Sequence, residues 1–210
     1  MCRKLLICIL LTHLITTTGI SQRLSITTHA GYVFNDHINL ELDEFSGKVQ
    51  GGLQSGIGIE YSFNPSFGLE LLYLRQDTRL KIGLPTGQET LYNLGINYIL
   101  LTGNNYLKLG ERLYACPGSI IGMALTKAES AASNNSTTDV KFTLGIKAGL
   151  VYPATKKISF RIQGTLLATI QAYKGTFYFG SSGVPFASLL QFNIGGGIAF
   201  HFPVGKTSSK

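Results

Sequence analysis

The sequence predicts an all-β chain, folded as an eight-stranded antiparallel up-and-down barrel whose strands cross a membrane. Three observations carry this expectation. Eight segments alternate apolar and polar residues with a period of two, the mark of a strand with two unlike faces. Charged residues make up 14% of the chain, below the ~25% usual for soluble domains. Glycine is abundant at 25 residues, Phe and Tyr together number 12 + 10 = 22, and the links between segments alternate long and short.

The N-terminus comes first. Arg3 and Lys4 precede the apolar run LLICILLTHLITT, and the small residues of Gly19-Ile20-Ser21 follow it. That order reads as an export signal, residues 1–21, cleaved after Ser21. Residues 22–210 then form one barrel domain. Cys2 and Cys8 leave with the signal, and Cys116 alone cannot make an internal disulfide. Removing Arg3 and Lys4 leaves 18 − 2 = 16 basic residues against 11 acidic ones, a net charge of +5. The basic residues do not cluster among aromatics, so nucleic acid is excluded as a partner. After the signal no apolar run reaches the 18 residues that a membrane helix needs, whereas a membrane strand needs only ~9–11.

Each strand follows from its alternation. Segment 23–34 places Leu24, Ile26, Ala30, Tyr32 and Phe34 on one face. Segment 50–63 sets Leu53, Ile57, Ile59, Tyr61 and Phe63 against Gln54, Gly56, Gly58, Glu60 and Ser62. The tight turn Asn64-Pro65-Ser66 leads to segment 67–80, with Phe67, Leu69, Leu71 and Tyr73 together. Segment 90–101 aligns Tyr92, Leu94, Ile96, Tyr98 and Leu100, expected to face lipid, against Asn93, Gly95 and Asn97. Segment 111–126 is interrupted by Pro117 and by glycines, and its faces stay unassigned. Segment 139–152 is the most regular, running from Val140 to Tyr152 against Lys141, Thr143, Gly145, Lys147 and Gly149. Segment 158–173 sets Ile158, Phe160, Ile162 and Leu166 against Ser159, Arg161, Gln163 and Thr165. Segment 191–202 sets Phe192, Ile194, Ile198, Phe200 and Phe202 against Gln191, Asn193, Gly195, Gly197 and His201.

Eight such strands in a meander close most simply into a barrel, which removes the exposed edges. The polar faces are rich in glycine and small residues, which suits a narrow lumen better than a wet surface; Gly195 and Gly197 are expected to leave room for longer side chains from other strands. The apolar face of 139–152 spans ~40 Å at about 3.3 Å per residue, or ~28 Å of height at a tilt of about 45°, close to the thickness of a hydrocarbon layer. Tyr61, Phe63, Phe67, Tyr152, Phe160, Phe200 and Phe202 all fall at the end with the links 64–66, 102–109 and 153–157, where an interfacial girdle belongs. Both termini lie at that end, and loops 35–49, 81–89, 127–138 and 174–188 lie at the other.

With its signal, its eight alternating segments, the turn FNPSFG and a last strand ending in the aromatics of AFHF, the chain resembles the small eight-stranded outer-membrane β-barrel family of Gram-negative bacteria. The resemblance covers nearly all of the mature chain and rests on pattern rather than on a diagnostic motif. It implies export to the outer membrane, contact with outer-membrane lipid, handling by the barrel-assembly machinery and a monomeric state. In that family a terminal aromatic presents the strand for insertion. Phe202 would fill that role, but PVGKTSSK follows it.

Chemistry is sparse. His29 and His201 fall on the polar faces of adjoining strands, without a carboxylate or cysteine spaced to complete a metal site, so they are expected to be polar lumen residues together with Lys141, Gln163 and Asn193. Ser130, Ser133, Ser181, Ser182 and Ser188 lie near the loop end with only His37 and no placed acid, so no catalytic residues, cofactor or metal are expected. Glu60 and Glu70 stand five residues either side of Pro65 and should oppose each other inside the lumen, an arrangement that needs cations. Lys147 and Arg161, inward on the hairpin across the barrel, would supply them. The expected role is structural, or interaction through loops 35–49, 127–138 and 174–188; a narrow solute pore and a lipid-modifying enzyme are the alternatives.

Overall fold

The structure, a computed structural model, describes residues 23–39, 46–83, 89–130, 136–173, 176–178 and 190–203. The export signal lies outside them. Eight long strands dominate: β1 (Arg23–Val33), β2 (Gly52–Asn64), β3 (Phe67–Gly83), β4 (Glu89–Asn105), β5 (Gly118–Ser130), β6 (Ser136–Pro153), β7 (Ile158–Tyr173) and β8 (Leu190–Pro203). Each pairs antiparallel with its sequence neighbours, and β8 pairs with β1 to close the ring.

The register fixes the shape of the barrel. Following the pairing once round the ring gives Arg23, Ser62, Gly68, Asn104, Gly118, Lys147, Thr165, Asn193 and then Val33. The path returns to β1 after a climb of 33 − 23 = 10 residues. Eight strands with a stagger of ten tilt by about 41° and enclose a backbone radius of about 8 Å, a bore that side chains fill.

At mid-height the outer surface is apolar all round. Leu53, Ile57, Ile59, Leu71, Ile99, Ile121, Ile146, Ile162, Ile194 and Ile198 are exposed, a surface that water would not tolerate on this scale and lipid would. Aromatics bracket this band. At the turn end Tyr61 meets Phe63 edge-on at 5.0 Å, and Phe63 stacks on Phe67 at 6.0 Å. At the loop end Phe34 contacts Tyr32 at 5.6 Å and stacks on Phe192 at 5.5 Å. The second girdle was not anticipated, because Tyr32, Phe34 and Phe192 look like ordinary strand positions until the closing pair β1–β8 places them together.

The structure corrects four sequence-based expectations. The alternating apolar row of β4 faces inward: Leu94, Ile96, Tyr98 and Leu100 are buried, while Ile99 and Leu101 face out. The reason is register. Glu70 pairs with Thr102, so the residues two and four positions on, Leu100 and Tyr98, share the inward side of Glu70. The link after β4 is not the short piece 102–109: β4 continues to Asn105, and residues 106–117 carry a small hairpin in which Leu107 and Lys108 pair with Ala115 and Tyr114. The long fifth strand begins at Gly118, after Pro117, and runs to Ser130, so residues 127–130 are strand rather than loop. Gly195 and Gly197 do not make room for distant side chains. A Cβ on Gly195 would lie 2.6 Å from the carbonyl oxygen of Ala30 and 2.8 Å from Gly31 Cα, so these glycines let the closing strands approach.

An outward apolar residue at mid-height should resist a charge far more than one at the rim. Leu71→Arg is expected to cost about 2–4 kcal/mol and Phe202→Arg about 0–1 kcal/mol. Denaturant titration of the folded protein in lipid vesicles measures both, and equal costs would place the membrane elsewhere on the barrel.

Candidate functional site

The lumen is filled in two layers. The upper layer is apolar: Leu72, Leu74, Leu94, Ile96, Tyr98, Leu100, Ile120, Ala124 and Leu167 form one buried cluster. It is supplied mainly by β3 and β4, whose inward rows turn from polar near the turn end to apolar higher up. The Tyr98 hydroxyl reaches across and donates to Gln191 Oε1 at 2.5 Å. Asn193 donates to Gln54 Oε1 at 2.7 Å beside it.

The lower layer is ionic. Glu60 and Glu70 are directly paired across β2 and β3, and both are fully buried. Two carboxylates so placed repel, and each ionised group taken out of water costs several kcal/mol unless matched. They are matched from the far wall. Arg161 Nη2 lies 2.9 Å from Glu60 Oε2, and Lys147 Nζ lies 2.9 Å from Glu70 Oε2. Arg161 Nη1 lies 3.8 Å from the same oxygen of Glu70. Two anions and two cations give a neutral core to the cluster. The sequence-predicted quartet is therefore brought together, each glutamate 2.9 Å from a cation of the far wall.

Several further partners complete it. His29 Nε2 lies 3.1 Å from Glu70 Oε1. Asn104 Nδ2 donates to both carboxylates, at 2.8 Å to Glu60 and 3.1 Å to Glu70, and so holds the two like charges on one donor group. Thr102 donates to Glu70 at 3.1 Å. The Tyr106 hydroxyl donates to Glu60 at 2.7 Å and accepts from Arg161 Nη2 at 2.8 Å. The site even shapes the backbone around it. A Cβ on Gly68 would lie 2.6 Å from Glu60 Oε1, and a Cβ on Gly58 would collide with the Glu70 carboxylate. Each glycine cedes its inward space to the glutamate of the neighbouring strand.

Other predicted lumen residues lie around this core. His201 is buried, with Nδ1 2.7 Å from Ser25 Oγ and Nε2 2.9 Å from Ser159 Oγ. Gln163 lines a small void with His29 and Asn193. Lys141 sits higher on β6, 3.6 Å from Asp139 and outside the cluster. Below Arg161 and Tyr106 a vestibule of about 540 Å³ opens at the turn end, lined also by Arg23, Arg112, Lys156 and His201. Sequence reading missed Thr102, Asn104 and Tyr106 because the Ile99-Leu100-Leu101 run is apolar on both faces and hides the alternation that continues through them.

The histidines of the described lumen are thus engaged by Glu70 and by two serines. The side chains of His37 and Ser130, and residues Ser133, Ser181, Ser182 and Ser188, lie outside the described residues. Among the described residues there is no group of His, Cys, Asp and Glu that could hold a metal ion.

No family model matches the chain, and no curated protein matches it in sequence. Solved structures do. Neisserial surface protein A superposes over 86% of this chain and 96% of its own, with a TM-score of 0.54 at 12% identity. The outer membrane protein OprG from Pseudomonas aeruginosa superposes over 88% of this chain and 97% of its own, with a TM-score of 0.53 at 13% identity. The chain has the fold of the small eight-stranded outer-membrane β-barrels. At these identities the likeness is one of fold, and the filling of this barrel's lumen rests on the contacts described above.

If the charges act as one unit, removing one should cost more than removing a pair. Glu70→Leu alone leaves Lys147 buried without its closest partner and is expected to cost about 3–5 kcal/mol. Glu70→Leu with Lys147→Met should recover part of that loss. Unfolding equilibria of the single and double variants in vesicles measure the coupling; strictly additive costs would mean separately solvated charges.

Proposed function

We propose that the protein is an integral barrel of the Gram-negative outer membrane, closed to solutes, which serves a structural role or an interaction at the cell surface through its loops. The observation that carries this reading is the cross-lumen pairing of fully buried Glu60 and Glu70 with Arg161 and Lys147. Together with the apolar cluster above it, it fills the bore with side chains. The alternative of a narrow pore would require the bore that these groups occupy.

In such a barrel the short turns face the periplasm and the longer loops face outward. The loop end here is built up rather than cut short. Residues Asp36–Asn39 pair with Ser46–Val49, which in turn pair with Leu80–Gly83, and Thr176–Tyr178 fold back on Gln171–Tyr173. The hairpin of β5 and β6 likewise stays paired as far as Glu129 and Ser136, so the loop end carries extended hairpins, which suits recognition of an extracellular or surface partner. The chain is proposed to act as a monomer without a cofactor and without enzymatic activity, after export by its N-terminal signal and insertion by the barrel-assembly machinery.

Planar bilayers separate a plug from a pore: the purified protein is expected to give no discrete conductance steps, and a steady ohmic conductance would overturn the closed reading. Acyl-chain analysis of lipid A from cells with and without the protein is expected to show no difference.

A further inference from the structure

The outer face of the barrel is not uniform. On β3 it is apolar from Phe67 through Leu69, Leu71 and Tyr73, and then switches to Arg75, Asp77 and Arg79. On β5 it passes from Ile121 and Met123 to Lys127 and Glu129. The strand between them, β4, presents only Asn97, Gly95 and Asn93 at that level. Two rows of long charged side chains thus flank a low floor at Gly95, forming a groove of about 550 Å³.

Its height is informative. Arg75 stands eight residues beyond Phe67, about 20 Å above the turn-end girdle at about 3.3 Å per residue and the barrel's tilt of about 41°. An apolar band is about 25 Å tall, so Arg75 lies at its upper edge, with Arg79 and Lys127 just beyond, at the level of lipid headgroups. Other strands remain apolar up to this level, at Phe34, Leu53, Phe142 and Phe192. The charges therefore mark one wall.

The groove is also organised. Arg75 donates through Nε and Nη2 to the two oxygens of Asp77 at 3.1 and 2.7 Å, and through Nη1 to Asn97 Oδ1 at 3.1 Å. The Tyr73 hydroxyl donates to the same Asn97 oxygen at 2.8 Å. Lys127 is 2.7 Å from Glu129. Asp77 and Glu129 are each matched by a neighbouring cation, and Arg79 adds a further positive charge. We propose that this outer-wall groove binds the phosphorylated sugar headgroup of an outer-leaflet glycolipid. Arg79 and Lys127 face its phosphates, and Arg75 holds the lower edge. The carboxylates and amides of Asp77, Glu129, Asn93 and Asn97 accept from or donate to its sugar hydroxyls. That mixture favours a phosphorylated sugar over a simple phospholipid, whose phosphodiester would meet the carboxylates with few hydroxyls to offer them.

The inference rests on the outer-membrane reading, which cell fractionation tests separately from binding. Binding is read by native mass spectrometry of the full mature chain in detergent, titrated with lipid A carrying both phosphates, with lipid A stripped of them, with phosphatidylglycerol, and with inorganic phosphate as competitor. The bisphosphorylated lipid A is expected to be retained most strongly. Arg79→Gln with Lys127→Gln should weaken its retention by about ten-fold or more, because charge-assisted contacts are lost. Lys156→Gln with Lys157→Gln, at the opposite end of the barrel, should leave it unchanged. Heat-modifiability gels confirm that each variant is folded, and Asn97→Asp, which adds a negative charge to the groove without shortening a side chain, provides an independent variant that should also weaken retention. Equal binding by the groove variants, equal binding of stripped lipid A or of phosphatidylglycerol, or displacement by inorganic phosphate at matched concentration would each overturn the proposal.

Discussion

A ring of eight strands staggered by ten residues leaves a bore that side chains must fill, and the rest of this molecule follows from how they fill it. Inward positions recur at every second residue of all eight strands, so the lumen receives side chains in layers. Too many large residues would spread the ring, and too few would leave voids. The glycines mark where the geometry is tightest. Gly58 and Gly68 yield to the glutamates, and Gly195 yields to the backbone of β1 at the seam. The same constraint makes the outer surface simple, because residues not needed inside can be given wholly to lipid.

Two fillings compete for such a bore, and this chain uses both. An apolar filling is cheap to bury and leaves no donor or acceptor unmatched, and it occupies the level of Leu72, Tyr98 and Leu100. An ionic filling pays a desolvation penalty that only close pairing recovers, and it seldom adds stability over an apolar one. What it adds is direction. Glu60 meets its closest cation only if β7 brings Arg161 to it, and Glu70 only if β6 brings Lys147. A slip of one residue in either hairpin would turn a charge toward lipid. The cluster thus ties opposite walls together in one register, whereas the apolar layer would accept several. Asn104 strengthens the constraint by donating to both carboxylates at once, which fixes β4 as well.

The ring of eight strands was legible in the sequence because lipid imposes a nearly pure period-two pattern on β2, β6, β7 and β8. The ionic quartet was legible for a related reason: a charge on the polar face of such a strand has few places to go, and the tight turn at Pro65 fixes the opposition of Glu60 and Glu70. The faces of β4 were not legible. Its inward and outward rows are both apolar near the middle, so alternation there carries no sign, and the sign came only from pairing with Glu70. The segment 106–117 hid for another reason. Pro117 and the glycines suggest a break, yet Tyr106 and Cys116 are buried against Val151, so the small hairpin forms the floor of the barrel rather than a loose link.

A filled lumen moves any function to the edges of the barrel. On the closed reading proposed above, what remains for function is the turn-end vestibule, the loop end and the outer wall. Of these, the outer wall shows the strongest departure from what the fold requires. Stability in lipid is best served by apolar residues up to the headgroups, and β1, β2, β6 and β8 supply them. Arg75 directs its fork of donors at Asp77 and Asn97, at the upper edge of the apolar band. A barrel that needed only solubility above the membrane could scatter charges freely there. Charges gathered on one wall beside a glycine floor are not required by the fold, and the proposed headgroup site gives them a use.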